Sequence, residues 1–175
     1  MEQTTETARQ TRPGRDLCVP CGGGLVNLRV GAIILKDGKL LMAGNRLHPE
    51  YLYSVGGRIK FGETAEEAVV REVFEETGVR MAVERLGFVH ENYFYGDMKS
   101  NQGKLIYEIS LYFYMKTPED FEPVSQSFAE EDHEEFLRWI TPDDPIRYYP
   151  DFLRTEWNRP GRDILYFSTD ERCRE

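Results

Sequence analysis

The stretch "REVFEETG", residues 71–78, packs three glutamates and an arginine into eight residues. On a helix advancing about 100° per residue, Glu72, Glu75 and Glu76 share one arc at i, i+3 and i+4 spacing. They lie beside Gly78, a helix-terminating residue, where the macrodipole already disfavours negative charge. Something positive must compensate. Arg71 can fork onto a carboxylate and fix its orientation, but one guanidinium does not neutralise three acids. A hard divalent cation is the natural counterpart, because Mg2+ takes oxygens from one or two carboxylates and completes its octahedron with water and substrate phosphates. The plainer alternative is a solvated acidic helix end.

The elements that must position these acids can be read on either side of them. Within "ETAEEAVVREVFEETG", Ala65, Ala68, Val69 and Val73 form a small apolar stripe that runs into the acidic arc, so the first two turns suit packing on a sheet. "YLYSVGG" before it reads as a short strand ending at a glycine pair, giving a strand, Gly-loop, helix plan. Upstream, "LVNLRVGAIIL" (25–35) is β-branched and largely apolar, as a strand buried on both faces would be. "KDGKLLMAG" adds an Asp-Gly turn and a second strand, which predicts a hairpin. Downstream, "RMAVERLGFVHENYFY" and "KLIYEISLYFYMK" flank the polar loop "GDMKSNQG" and predict a longer hairpin. "EEFLRWI" reads as a short strand, "YYPDFLRTEWN" as a closing helix and "DILYFST" as a final strand or extended tail. Residues 1–24 lack hydrophobic period and read as a flexible arm ahead of one domain, 25–175.

Bulk composition narrows the function classes. The 175 residues, 40% hydrophobic, suffice for one domain with a sizeable core. A net charge of −9 excludes a counterion-releasing grip on a nucleic-acid polymer, while a small anionic ligand remains admissible when a metal bridges it. No apolar run approaches the roughly 20 residues that span a bilayer, so no membrane role is expected. Given the polar first ten residues and three cysteines, an odd number, the cytoplasm is the expected compartment. "CVPC" offers half of a tetrahedral zinc site, but no second pair accompanies it and free thiols fit Cys18 and Cys21 at least as well.

From Gly57 the chain runs Gly, five residues, Glu63, seven residues, Arg71-Glu72-Val73, Phe74, Glu75-Glu76, Thr77, Gly78-Val79. This resembles the signature of the Nudix hydrolase family without a departure, at nine defined positions in twenty-three residues. The resemblance implies an α/β fold, an α/β/α sandwich with a mixed β-sheet, and hydrolysis of a nucleoside diphosphate linked to another group. It implies Glu72, Glu75 and Glu76 as ligands of Mg2+ (or Mn2+), with the Gly56 carbonyl as a further ligand. Glu63 and Arg71 would brace the loop and helix around Gly57 and Gly78. A metal bridging phosphate oxygens withdraws charge and aligns a water for in-line attack.

Glu75 is the first choice of general base, with Glu76 and Arg71 beside it in the catalytic group. Family members differ in where the base lies, and the loop "FAEEDHEE" offers Glu130, Glu131 and Glu134, of which Glu131 is preferred, and also His133. Arg46, Arg58 and Lys60 flank the loop into the helix and could reach phosphate oxygens. Among Tyr93, Phe94 and Tyr95 an aromatic ring could stack on a base, although core packing suits most of them. Family ADP-ribose hydrolases often carry a proline where Tyr93 stands here, and dinucleoside polyphosphate hydrolases a tyrosine that Tyr95 could imitate. The expected partner is a small-molecule nucleotide derivative, and a homodimer is the analogy-based expectation. Two other readings stay open: a house-cleaning nucleoside triphosphate pyrophosphohydrolase, and a non-catalytic nucleotide sensor on the same fold.

Overall fold

A computed structural model describes residues 14–46, 48–97, 100–123, 128–129, 133–159 and 161–172, the side chains of 128–129 and 133–134 excepted. Its strands form two six-stranded sheets. The first runs in the order β1 (Cys18–Cys21), β2 (Gly24–Ile33), β8 (Leu105–Met115), β7 (Val83–Tyr95) and β12 (Leu165–Asp170), with β6 (Gly56–Arg58) also on β2. It is mixed: β2 with β8 and β7 with β12 are parallel, the other pairs antiparallel. The second has the order β11 (Arg147–Tyr149), β5 (His48–Ser54), β4 (Lys39–Asn45), β10 (His133–Ile140) and β9 (Phe128–Ala129), with β3 (Leu35–Lys36) on β4.

Why β2 carries the core follows from its sequence. From Val30 to Ile33 its residues are apolar and buried at successive positions, as a strand covered on both faces requires. Val30 and Ala32 enter a core with Ala68, Val69 and Val73 of helix α1 (Ala65–Thr77). Ile33 enters a second core with Leu153 of the single turn α2 (Leu153–Glu156) and the neighbouring Trp157. One helix therefore covers each face, and the expected α/β/α sandwich with a mixed sheet is what the chain forms. "YYPDFLRTEWN" yields only that one turn, because 147–149 is spent on β11.

The expected hairpin of 25–35 with the following strand takes a different form. β2 is claimed by β8, its parallel partner over nine residue pairs, and only Leu35–Lys36 folds back on β4. The turn between them has positive φ at Asp37 (51°) and Gly38 (70°), as tight hairpins demand. The long hairpin of β7 and β8 and the closing strand β12 are as read.

Of the segment read as an arm, 1–13 lies outside the described residues, whereas 14–24 lies on the sheet. Cys18–Cys21 pairs with β2, Leu17 packs on the α1-side core, and the Leu17 and Phe61 amides donate to Ile59 and Arg15 carbonyls. Backbone pairing with one apolar anchor, Leu17, seats this stretch, which is why hydrophobic periodicity did not mark it.

Candidate active site on the glycine loop and acidic helix

Helix α1 is fixed at both ends by local chemistry. Thr64 and Glu67 form a reciprocal capping box: the Glu67 amide donates to Thr64 Oγ1 (3.2 Å) and the Thr64 amide to Glu67 Oε2 (2.7 Å). Gly78 closes the helix in the left-handed conformation, φ 74°, its amide donating to the Phe74 carbonyl. No basic residue stands in the last turn, so at the negative dipole end the acids have only Arg71, from earlier in the helix, as a cationic helix neighbour.

The glycine pair brings the preceding strand within reach of those acids. Gly56 has φ 144°, and a Cβ there would lie 2.2 Å from the Val30 carbonyl oxygen, so only glycine fits between β6 and β2. At Gly57 a Cβ would come within 2.6 Å of the Glu72 carboxyl group. The missing side chains are the space in which Glu72 sits and through which the Gly56 amide donates to Glu76 Oε1 (2.8 Å).

Arg71 is the hub of the cluster. Its Nε and Nη2 fork onto Glu63 at 3.0 and 2.6 Å, and Nη1 donates to Glu72 Oε1 (2.6 Å) and Glu75 Oε2 (3.1 Å). Nη2 also donates to the Arg58 carbonyl (3.0 Å), so all five N–H groups are engaged. Glu63 Oε1 also accepts from the Lys60 amide (2.7 Å), which ties loop to helix. Burial works against the Glu63 charge, but Arg71 and the Lys60 amide outweigh it and its pKa falls. The bracing roles expected of Glu63 and Arg71 correspond to these bonds.

The deeper acids are shifted the other way. Glu76 is only 8% exposed; burial pushes its pKa well up, against the Gly56 amide and with help from Glu135 and Glu72. Its Oε2 is buried without a hydrogen-bond partner. Burial also raises Glu72, opposed by Arg71. Glu75, by contrast, is 48% exposed, more open than expected for a general base. Among the described residues no three His, Cys, Asp or Glu side chains converge ready-made on a point; Glu72 and Glu75 are instead drawn onto the same nitrogen of Arg71. The donor set still suits a hard cation, since an orphaned buried carboxylate oxygen beside two further carboxylates is electrostatically incomplete.

The remaining expected residues divide. Arg58 makes an ion pair with Asp16 (3.5 Å) and has a buried, unpartnered Nε. Arg46 is exposed just past β4, and Lys60 serves the loop through its backbone. Tyr95, 52% exposed, lies seven residues along β7 from Phe88, whose partner Tyr112 pairs with Gly31 in the row of Gly56. That separation is on the order of 20 Å along the strand, so the structure does not bring Tyr95 to the acids. Tyr93 pairs with Tyr107, their rings 4.6 Å apart, and Phe94 with Ile106. Glu130 and Glu131 lie outside the described residues, as do the side chains of His133 and Glu134. Cys18 and Cys21 are free thiols.

Several residues at the site were not singled out by the sequence. Glu135 on β10 accepts from the Tyr53 hydroxyl (2.8 Å) and contributes to the raised pKa of Glu76. Burial, reinforced by Glu135, raises the Tyr53 pKa, so the phenol stays a donor. On the first sheet, register aligns Asn27, Glu108, Asn92 and Thr169 in one row across β2, β8, β7 and β12. The next row toward the acids holds Arg29, Ser110, His90 and Phe167. Glu108 accepts from Asn27 Nδ2 (2.7 Å) and the Ser110 hydroxyl (3.1 Å), and His90 Nε2 lies 3.0 Å from Thr169 Oγ1. The signal that could have found them is polar residues at i, i+2 inside otherwise apolar strands, "VNLRV" and "YEISL".

An acidic helix end braced by arginine against a glycine loop, on a mixed α/β/α sandwich, defines the structural class. A model of the NUDIX domain matches residues 26–162, and the chain belongs to that family, whose enzymes act on phosphoric anhydride bonds. It is 40% identical over 62 residues to a MutT-like protein of Streptomyces ambofaciens, covering 35% of this chain and 40% of that one. It is 44% identical over 59 residues to an ADP-ribose pyrophosphatase of Methanocaldococcus jannaschii, covering 33% and 35%. The matched stretches thus span two fifths or less of these relatives. Among solved structures, a MutT protein from Bacillus halodurans superposes with TM-score 0.59 at 18% identity, covering 82% of this chain and 89% of that one. A UDP-X diphosphatase gives 0.51 at 17%, covering 93% and 70%. These likenesses are of fold. Among the described residues no helix is long and apolar enough to cross a membrane.

Proposed function

We propose that this chain is a divalent-metal-dependent pyrophosphohydrolase that splits the diphosphate linkage of a nucleoside diphosphate derivative. The products would be a nucleoside monophosphate and a phosphorylated remainder. The observation that carries this reading is the unpartnered, buried Oε2 of Glu76 set beside Glu72 and Glu75 at a helix end with no basic residue of its own.

In this reading Glu72, Glu75 and Glu76, with the Gly56 carbonyl, hold Mg2+ (or Mn2+). When bound, the ion neutralises phosphate charge and acidifies a water. Arg71 keeps Glu72 and Glu75 oriented, and Glu63 keeps Arg71 in place. Glu75, the most exposed of the three ligands, is open enough to take a proton from an attacking water. Glu131, outside the described residues, is the alternative acceptor. Arg46 and Arg58 are the flanking cations for phosphate oxygens, and Tyr95, away from the acids, is left as an aromatic for the far part of the substrate. Free thiols at Cys18 and Cys21 agree with a cytoplasmic setting.

Hydrolysis of nucleotide sugars, ADP-ribose, dinucleoside polyphosphates and nucleoside triphosphates, measured with Mg2+, Mn2+ or chelator, tests the reading. Turnover of a diphosphate derivative that vanishes with chelator is expected. A preference for triphosphates would favour the house-cleaning reading, and nucleotide binding without turnover in either metal would favour a sensor.

A further inference from the structure

The polar row on the first sheet contains groups that the fold does not satisfy. Asn27 is 4% exposed, and while its Nδ2 donates to Glu108, its Oδ1 is buried with no hydrogen-bond partner. Arg29, two residues on and therefore on the same face of β2, is half-buried, and its guanidinium makes no hydrogen bond or ion pair among the described residues. The charges around it are Glu108 on one side and Glu76 and Glu72 on the other. Glu108 itself is only part-buried, so its carboxylate is reachable. An unsatisfied buried acceptor beside a cation without a hydrogen bond is costly to the fold and useful to a ligand.

The pattern along the face is directional. Farthest from the acids stand two acceptors, Glu108 and Asn27 Oδ1; one row nearer stands a donor, Arg29. A ligand that completes this wall presents two adjacent N–H groups to the first row and a carbonyl oxygen to the second. Guanine's edge has that order, N2–H2, N1–H, O6. Adenine and cytosine each offer one amino group beside a ring acceptor, and uracil one N–H between two carbonyls. Spacing along the strand agrees, although Val30 faces α1 and Asn27 the other side of β2: Glu72 packs at Gly57, which pairs with Val30, three residues from Asn27, and Glu76 and Glu72 act electrostatically on Arg29. Three residues of strand span about 10 Å, the reach from a nucleotide's phosphates to the far edge of its base.

We infer that Asn27, Arg29 and Glu108 form a base-reading wall that selects a guanine nucleotide as the nucleoside half of the substrate. The inference rests on the proposed hydrolysis of a nucleoside diphosphate derivative and names the base it carries. Ser110 is a positioning residue, since its hydroxyl holds Glu108 Oε1.

Equilibrium binding of GDP, IDP, ADP and UDP to the full chain without divalent metal tests this independently of turnover. IDP lacks only the 2-amino group, so the comparison leaves the protein unaltered. GDP should bind at least about tenfold tighter than each of the others, because a site built for a donor leaves its acceptor unpaired when the donor is missing. In Glu108→Gln, checked for native circular dichroism, GDP and IDP should converge to within about twofold. Equal binding of GDP and IDP by the unaltered chain, tighter ADP or UDP, binding of none, or full discrimination in Glu108→Gln would each overturn the assignment. Active hydrolysis with no guanine preference would sink this inference alone; absent hydrolysis with a large GDP to IDP ratio would sink the proposed reaction and leave the wall standing.

Discussion

Two polar clusters sit on this sandwich, and they are built differently. Around α1, the bonds of Arg71 reach partners one to thirteen residues away, and every N–H of that arginine is spent. Across the first sheet, Asn27 meets Glu108 eighty-one residues on, His90 meets Thr169 seventy-nine on, and Arg29 is committed to nothing among the described residues. A saturated cation is a structural strut. A half-buried one without a hydrogen bond is available to something outside the chain. The contrast separates groups that hold carboxylates from groups that hold a ligand.

The sharpest way to break that separation is to remove charge from the acids alone. Glu75→Gln and Glu76→Gln should lower kcat by about 10²–10⁴-fold, measured on the preferred substrate at saturation. Thermal melting should barely move for Glu75, which is half in solvent, and should hold or rise for Glu76, where an amide replaces a carboxylate that burial penalises. A large fall in melting temperature for either would make these acids structural.

Arg71→Lys tests the strut. Lysine has three donors on a point charge and cannot fork onto Glu63 while also reaching Glu72, Glu75 and the Arg58 carbonyl. Activity should drop about 10–100-fold, and stability by about 1–3 kcal/mol as part-buried acceptors lose their partner. Denaturant titration alongside kinetics checks both. Gly57→Ala should act more narrowly. Its Cβ would meet the Glu72 carboxyl group, the flexible end of a side chain, so kcat should fall about tenfold with stability changed by less than about 1 kcal/mol.

These effects also mark what could be read before the fold was known. The α1 cluster was legible because its chemistry is local: Gly57, Glu63, Arg71 and the three acids lie on one loop and one helix, where spacing alone sets geometry. The central strand 25–35 was legible from its apolar run, but its partner was not. Whether it folds back on the next strand or lies parallel to β8 depends on pairing eighty residues away. Glu135 escaped notice for the same reason: its role depends on Tyr53 and Glu76, which belong to β5 and α1. Asn27 and Arg29 were in view as letters of a strand, yet only the register with Glu108 and Ser110 shows them as one face. Tyr95 shows the opposite case, being near the signature in sequence and far from the acids along the strand in space.

The smallest effect sharpens the contrast from the side of the sheet. His90 is buried, and burial lowers its pKa below the usual histidine value of about 6.5, although Glu108 pulls it upward. Thr169 donates its only hydroxyl proton to Asn92 Oδ1, so the bond between Thr169 Oγ1 and His90 Nε2 has the imidazole as donor. The neutral ring therefore carries its proton on Nε2. Because the unfolded chain takes up a proton at higher pH than the native one, stability is complete above the unfolded pKa. It declines as pH falls from there toward the lower native value, each unit of depression being worth about 1.4 kcal/mol. Proton and nitrogen NMR of the imidazole should show the Nε2–H tautomer and a midpoint below the usual histidine value of about 6.5. A midpoint at or above about 6.5 would mean that the sheet face holds histidine by charge, as the acidic helix holds arginine, and the two clusters would then differ in location only.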